Sequence, residues 1–214
     1  MEPDICPAIT AHNPSEFRQQ LARVTPFVKR VHLDVSDGKL TPEKLMDISD
    51  LWWPANIRAD IHVMFEQPFD HAALLLNLQP QLIIVHAEGK GDFVTFAQKA
   101  HAHGIEVGVA LQQQTPIEVI QPALQLIDHV LIFSGKLGYF GGTADLSLLS
   151  KVAQLKQWKP QLEIGWDGGV NPKNAVALVQ GGVQVLNSGG FIQRAENPAE
   201  AYKQLTLAAT NTQM

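Results

Sequence analysis

The 214 residues include a single cysteine, Cys6. No intrachain disulfide can form, and a reducing compartment is the expectation. No apolar run approaches the roughly 20 residues that span a bilayer. The opening Met1-Glu2-Pro3-Asp4 is acidic and lacks the apolar stretch of a secretory leader. A cytoplasmic protein that does not meet a membrane is expected. Basic charge is also scarce: 16 Lys and Arg stand against 21 Asp and Glu, a net −5, and the basic residues do not cluster. A nucleic-acid groove or a basic membrane face is therefore excluded from the expectations. An anionic ligand would depend on local donors. No linker, charge block or low-complexity segment divides the chain, so one domain over residues 1–214 is expected. Its 45% hydrophobic content suffices for one sizeable core.

What is present is a rhythm of short apolar runs. Eight are rich in Val and Ile and too short for ordinary helices: Asp4–Ile9, Arg30–Val35, Arg58–Met64, Leu82–His86, Glu106–Ala110, His129–Phe133, Leu162–Trp166 and Val183–Leu186. Their near-continuous apolar character predicts parallel strands buried on both faces. The segments between them open like helices. Asn13-Pro14-Ser15-Glu16 offers an N-cap, a proline at the first helical position and an acid in the first turn. The same grammar recurs at Thr41-Pro42-Glu43, Thr115-Pro116-Ile117-Glu118, Asn171-Pro172 and Asn197-Pro198-Ala199-Glu200, and Gly104 stands where a helix would end. Repeated strand–helix units give an α/β fold with right-handed crossovers. Eight of them predict a (β/α)8 barrel. The open doubly wound sheet is the alternative, but its Gly-x-Gly-x-x-Gly turn after the first strand is missing. Ala209–Met214 are expected to fray.

In such a barrel the chemistry sits at the C-terminal ends of the strands. His32 and Asp34 share one face of the second strand by period-two geometry, His62 stands late in the third, and Asp167 follows the seventh. A barrel brings these four to one mouth, where two imidazoles and two carboxylates suit one divalent ion such as Zn, Fe, Mn or Co. A lone strand histidine is more often a packed residue than a ligand; it is the agreement of four strand ends that favours a metal. Three glycine pairs follow the last three strands: Gly141-Gly142, Gly168-Gly169 and Gly189-Gly190. Turn chemistry explains most glycine pairs. Three at consecutive late strand ends favour a phosphate approached by backbone N–H groups.

These motifs resemble the ribulose-phosphate 3-epimerase family over nearly the whole chain. The resemblance is carried by Cys6-Pro7-Ala8-Ile9, His32-Leu33-Asp34-Val35-Ser36-Asp37-Gly38, Asp60-Ile61-His62-Val63-Met64, Val85-His86-Ala87-Glu88, Phe140-Gly141-Gly142 and Asp167-Gly168-Gly169-Val170. It implies a (β/α)8 barrel with one divalent metal on His32, Asp34, His62 and Asp167, and an acid/base pair of Asp34 and Asp167. It places Gly141, Gly142, Gly189 and Gly190 in phosphate loops, with Gly168 and Gly169 beside them and His62 near the substrate. It further implies a small sugar-phosphate substrate, no organic cofactor and a homo-oligomer. The chain departs from the family where Ala8 replaces a usual Ser and where Ser36 and Phe133 stand at methionine positions. Lys39-Leu40-Thr41-Pro42-Glu43 replaces a His-Phe-Val-Pro-Asn stretch, and the sixth loop, 134–139, is one residue longer. The expected activity is C3 epimerisation of D-ribulose 5-phosphate or a close analogue. The alternatives are a ketohexose-phosphate 3-epimerase and a non-catalytic sugar-phosphate-binding barrel. A barrel lyase would carry Asp-x-Lys where His32-Leu33-Asp34 stands.

Other residues carry weaker signals. His86 and Glu88 match family positions, and His86 either reaches the pocket or packs behind it. His12, His71, His101 and His103 are expected in water, Asp37 as a loop brace, Lys136 as a solvated loop lysine and Cys6 as a buried small hydrophobe.

Overall fold

A computed structural model describes residues 2–137, 139 and 142–210. Among them, eight parallel strands close into a barrel in chain order: β1 (Asp4–Thr10), β2 (Arg30–Ser36), β3 (Arg58–Met64), β4 (Leu82–His86), β5 (Glu106–Leu111), β6 (His129–Phe133), β7 (Glu163–Asp167) and β8 (Val185–Ser188). β8 pairs back onto β1, with Asp4 opposite Val185 and Pro7 opposite Ser188. The expected strands are all present. β1, β2 and β5 run one residue further than the apolar runs, and β7 and β8 begin and end later. These shifts place Thr10 and Asn187 inside strands rather than after them.

The helices are α1 (Pro14–Val24), α2 (Ala72–Asn77), α3 (Phe93–Ala102), α4 (Leu149–Trp158), α5 (Pro172–Gln180), α6 (Gly190–Gln193) and α7 (Pro198–Thr210). Caps explain where the longer ones start. Asn13 accepts from the N–H groups of Ser15 and Glu16, Asn171 from that of Lys173, and Asn197 from that of Glu200. Gly104, with φ +73°, ends the turn after α3. None of the described helices is long and apolar enough to cross a membrane.

Two expected helix starts fail, for different reasons. At Thr41-Pro42-Glu43 no helix forms. Thr41 turns its hydroxyl inward, 2.6 Å from Ser36 Oγ and 2.6 Å from the Glu43 carbonyl, and Asp37 bridges antiparallel to Lys44. Its hydroxyl braces a turn instead of capping a helix. After Pro116 the chain winds as a 3-10 helix over Ile117–Leu126, with Pro122 inside it. A proline there has no N–H for an α-helical ladder. The expected fraying is also corrected at its start: Ala209 is buried within α7, and residues 211–214 lie outside the described residues.

The outer strand faces and the helices share the main core, with Val31, Leu33 and Val35 packed among Phe17, Leu21 and Trp166. A small separate cluster of Leu82, Ile84, Ala110 and Leu131 fills the barrel interior below the mouth. At the N-terminal end the interior turns polar. Buried Arg30 donates to Asp60 at 2.8 Å and to both oxygens of Glu163 at 3.2 and 3.0 Å, and Glu163 also meets His129 Nδ1 at 2.7 Å. An ion network thus plugs the bottom, and the mouth is left for chemistry.

Candidate active site

The C-terminal ends of the strands surround a cavity of about 280 Å³. Its floor is built from alternate residues of neighbouring strands, because only every second side chain points inward. Thr10 lies opposite Asp34, and Asp34 opposite His62, in the strand register. Asp167 closes the set from the far side, at the last residue of β7.

His32, Asp34, His62 and Asp167 each offer one ligand atom, and all four atoms lie within 4.8 Å of one another. Asp34 Oδ1 faces His62 Nδ1 at 2.9 Å, and its Oδ2 accepts from the Thr10 hydroxyl at 2.5 Å. His32 Nε2 lies 3.4 Å from Asp34 Oδ1 and 3.7 Å from Asp167 Oδ2. Neither contact has hydrogen-bond geometry, and both ring nitrogens of this wholly buried histidine lack a partner among the described residues. An orphaned buried imidazole is costly. A cation between the two carboxylates would satisfy Nε2, and two imidazoles with two carboxylates fit Zn and its neighbours in the first transition row.

The two carboxyl groups sit in unlike fields. Burial raises both, but the nearby His32 imidazole and the hydrogen bond with His62 hold Asp34 well below the usual carboxylate range. Burial, together with the Asp34 charge, pushes Asp167 up to about 7 against the pull of His32. Burial also lowers His62 to about 3, so its ring is neutral and free to bind as a lone-pair donor.

Of the glycines, Gly142, Gly168, Gly169, Gly189 and Gly190 all line the cavity; Gly141 lies outside the described residues. Gly168 has φ +109°, and a Cβ on it would fall 2.1 Å from the Gly135 nitrogen. Gly169 has φ +72°, and its Cβ would fall 2.4 Å from the Ala144 nitrogen. This pair is needed for the close approach of the β6–α4 loop as much as for any ligand.

Several cavity residues carry little mark in the sequence. Thr10 and Asn187 lie one residue past the ends of the expected strands, where the alternation of Ala8 with Thr10 was the available signal. Arg194 lines the cavity just after α6 as an exposed residue, and nothing in the local pattern marks it. Tyr139 also lines the rim: Lys136 lies 4.5 Å over its ring, and its hydroxyl donates to Glu43 at 3.1 Å. Ala8 and Phe133 line the cavity as well. Ser36 does not; its hydroxyl is spent on Thr41 and the Gly38 N–H. Asp37 braces the same loop through the N–H groups of Lys39 and Glu66. His12, His71, His101 and His103 are exposed.

Comparison with known proteins follows the same geography. A family model described as "Ribulose-phosphate 3 epimerase family" matches residues 4–192. A ribulose-phosphate 3-epimerase from Helicobacter pylori (strain ATCC 700392 / 26695) is 33% identical over 78% of this chain and 80% of its own. One from Schizosaccharomyces pombe is 26% identical over 92% of this chain and 89% of its own. Among solved structures, KGPDC from Streptococcus mutans superposes with a TM-score of 0.74 over 100% of both chains at 14% identity. That last likeness is one of fold.

Proposed function

Since the chain belongs to the ribulose-phosphate 3-epimerase family, and is therefore an isomerase, we propose that it inverts C3 of a ketose phosphate by proton transfer between Asp34 and Asp167. The observation that carries this reading is the placement of those carboxyl groups in one cavity, with the His32 ring 3.4 Å from one and 3.7 Å from the other; their unlike surroundings, which hold Asp34 low and raise Asp167, agree with it. Inverting a carbon beside a ketone needs a proton taken from one face and another returned to the opposite face, and one base cannot serve both. A base and an acid whose environments push them apart are the required pair. In one direction the ionised Asp34 accepts the C3 proton and the protonated Asp167 delivers its own; the reverse reaction exchanges their roles.

His32, Asp34, His62 and Asp167 would hold one divalent ion. When bound, that ion supplies Lewis-acid stabilisation of the negative charge developing on the substrate oxygens. The remaining work belongs to the chain. The Thr10 hydroxyl holds the Asp34 carboxylate in place. Gly142, Gly189 and Gly190 open the far end of the cavity to a phosphate, and Arg194 places a positive charge beside them. The net charge is −5, so this guanidinium supplies the local attraction that the overall field does not. Retention of both aspartates favours catalysis over simple sugar-phosphate binding.

The second reading is a ketohexose phosphate, favoured by Ala8. Its methyl lines the cavity, so a bulkier polyol finds room but no hydroxyl from that position. A homo-oligomer at work in the cytoplasm completes the proposal.

The test is proton exchange in heavy water. Zinc-loaded protein with D-ribulose 5-phosphate should place deuterium at C3 and produce xylulose 5-phosphate, and chelation should stop both. Binding without exchange on pentulose and hexulose phosphates alike would overturn the enzymatic reading. Exchange confined to hexulose phosphates would establish the second.

A further inference from the structure

β8 carries a buried amide to the cavity with nothing in the protein to bond. Asn187 is 1% exposed and lines the cavity, and neither its Oδ1 nor its Nδ2 has a hydrogen-bond partner among the described residues. The other buried polar side chains of the lining are engaged: the Thr10 hydroxyl donates to Asp34 at 2.5 Å, and Asp34 also meets His62 at 2.9 Å. His86 packs behind His62, with its Nδ1 3.1 Å from Glu88 Oε2. Beside Asn187 in the chain and across the strands, the Ser188 hydroxyl donates to the Val170 carbonyl at 3.3 Å and the Trp166 indole N–H to the Gly168 carbonyl at 3.2 Å. An unpaired buried amide weakens a fold, and an apolar side chain of the same shape would not. Packing therefore does not account for an asparagine here.

Its place is fixed by the sheet. β8 is paired on both sides, with Asn187 opposite Asp167 of β7 and opposite Cys6 of β1. Two residues further on come Gly189 and Gly190. The amide thus lies next to one carboxyl group of the proton transfer and just before the glycines assigned to the phosphate. In a ketose phosphate the chain from the inverted carbon toward the phosphate begins with C4, which bears a hydroxyl in pentuloses and hexuloses alike. A hydroxyl both donates and accepts, and so does a carboxamide. Oδ1 can take the hydroxyl proton while Nδ2 donates to the hydroxyl oxygen, and one ligand group satisfies both ends of the amide.

We propose that Asn187 is a substrate-binding residue whose amide recognises the C4 hydroxyl of the ketose phosphate and thereby sets which sugars the cavity accepts. The inference rests on the epimerase reading, which gives the direction in which the sugar lies. A site built to bond a hydroxyl discriminates against the analogue that lacks it, because its own polar groups are then left unpaired. The asparagine trades some stability of the free protein for that discrimination.

The experiment compares three sugars on two proteins. D-Ribulose 5-phosphate and its 1-deoxy and 4-deoxy analogues are titrated by calorimetry into zinc-loaded wild type and Asn187→Leu, and C3 exchange is followed by NMR. Wild type should bind the 4-deoxy sugar about 10–100-fold more weakly than the parent. Asn187→Leu should bind those two alike, keep the wild-type ratio between the parent and the 1-deoxy sugar, and unfold at the same or a higher temperature without ligand. Asn187→Ala, which adds no bulk, should repeat the pattern if leucine is not accommodated. A 4-deoxy ratio unchanged in the variants would mark a structural amide and overturn the proposal, and so would loss of the 1-deoxy ratio instead. The expected pattern without C3 exchange would uphold the contact and sink the epimerase reading, whereas exchange with an unchanged 4-deoxy ratio would do the reverse. If the pentuloses do not bind, the hexulose 6-phosphate series replaces them, and no binding in either series would overturn both.

Discussion

Asp167 is a single carboxyl group whose surroundings decide two measurable properties. Burial raises it to about 7 in the metal-free protein, whereas an unfolded aspartate ionises near 4. A raised group favours folding most below the unfolded value, and that advantage is lost as pH rises through the folded value. The window therefore runs from about pH 4 to about pH 7. Asp167→Asn removes the ionisation, so relative to wild type it should gain on the order of 2–4 kcal/mol of metal-free stability between pH 5 and pH 8. Denaturant unfolding of both proteins at the two pH values measures it, and a constant difference would refute the assignment. The same variant should stop converting D-ribulose 5-phosphate to its C3 epimer while remaining folded, with any remaining C3 exchange carried by Asp34 alone. At this scale much of the site is legible in the sequence. His32, Asp34, His62 and Asp167 are polar residues at strand ends, and period two fixes their face. Arg194 and Tyr139 escape such reading because only the tertiary path of their loops brings them to the cavity.

Among the elements, the strands are more legible than the connections. Val and Ile runs mark every strand because burial on both faces leaves little choice of residue. Helix starts are less certain, since a Thr or Asn followed by Pro serves a helix or a turn equally well. Asn13 and Asn171 meet free N–H groups and cap, whereas Thr41 meets Ser36 and braces a turn. Likewise the glycines at 168 and 169 look like ligand loops in sequence, but their backbones touch another loop. Gly168→Ala would drive a Cβ into the Gly135 backbone at 2.1 Å. Backbone on backbone cannot yield as a flexible side chain can, and φ +109° is strained for alanine. The variant should lose about 2 kcal/mol or more of stability and weaken sugar-phosphate binding as the β6–α4 loop is displaced. Urea unfolding and KM report the two effects; a wild-type value for both would show that the loop accommodates the methyl elsewhere.

As a whole molecule the barrel separates stability from chemistry along its axis. The bottom holds Arg30, Asp60, Glu163 and His129, and the mouth holds the aspartate pair, with the apolar layer of Leu82, Ile84, Ala110 and Leu131 between them. Arg30→Met strands the buried Asp60 without its partner and should cost about 3–5 kcal/mol in urea unfolding. Below the unfolding temperature the C3 exchange rate should stay near wild type, because the mouth is untouched. Adding Asp60→Leu should recover part of the loss; no recovery would mean that the network acts through Glu163 instead. The closed eight-strand topology follows from the count of apolar runs, but this plug does not, since its charged residues read as ordinary strand ends until the barrel turns them inward. Cys6 belongs to the same interior. It is fully enclosed, and burial raises its thiol well above the usual range, with Asp60 adding to the effect. Thiol chemistry needs an exposed thiolate. The only sulfhydryl in the chain therefore has neither the access nor the charge to meet peroxide or glutathione, and the protein's output does not register the oxidative state of its surroundings through cysteine.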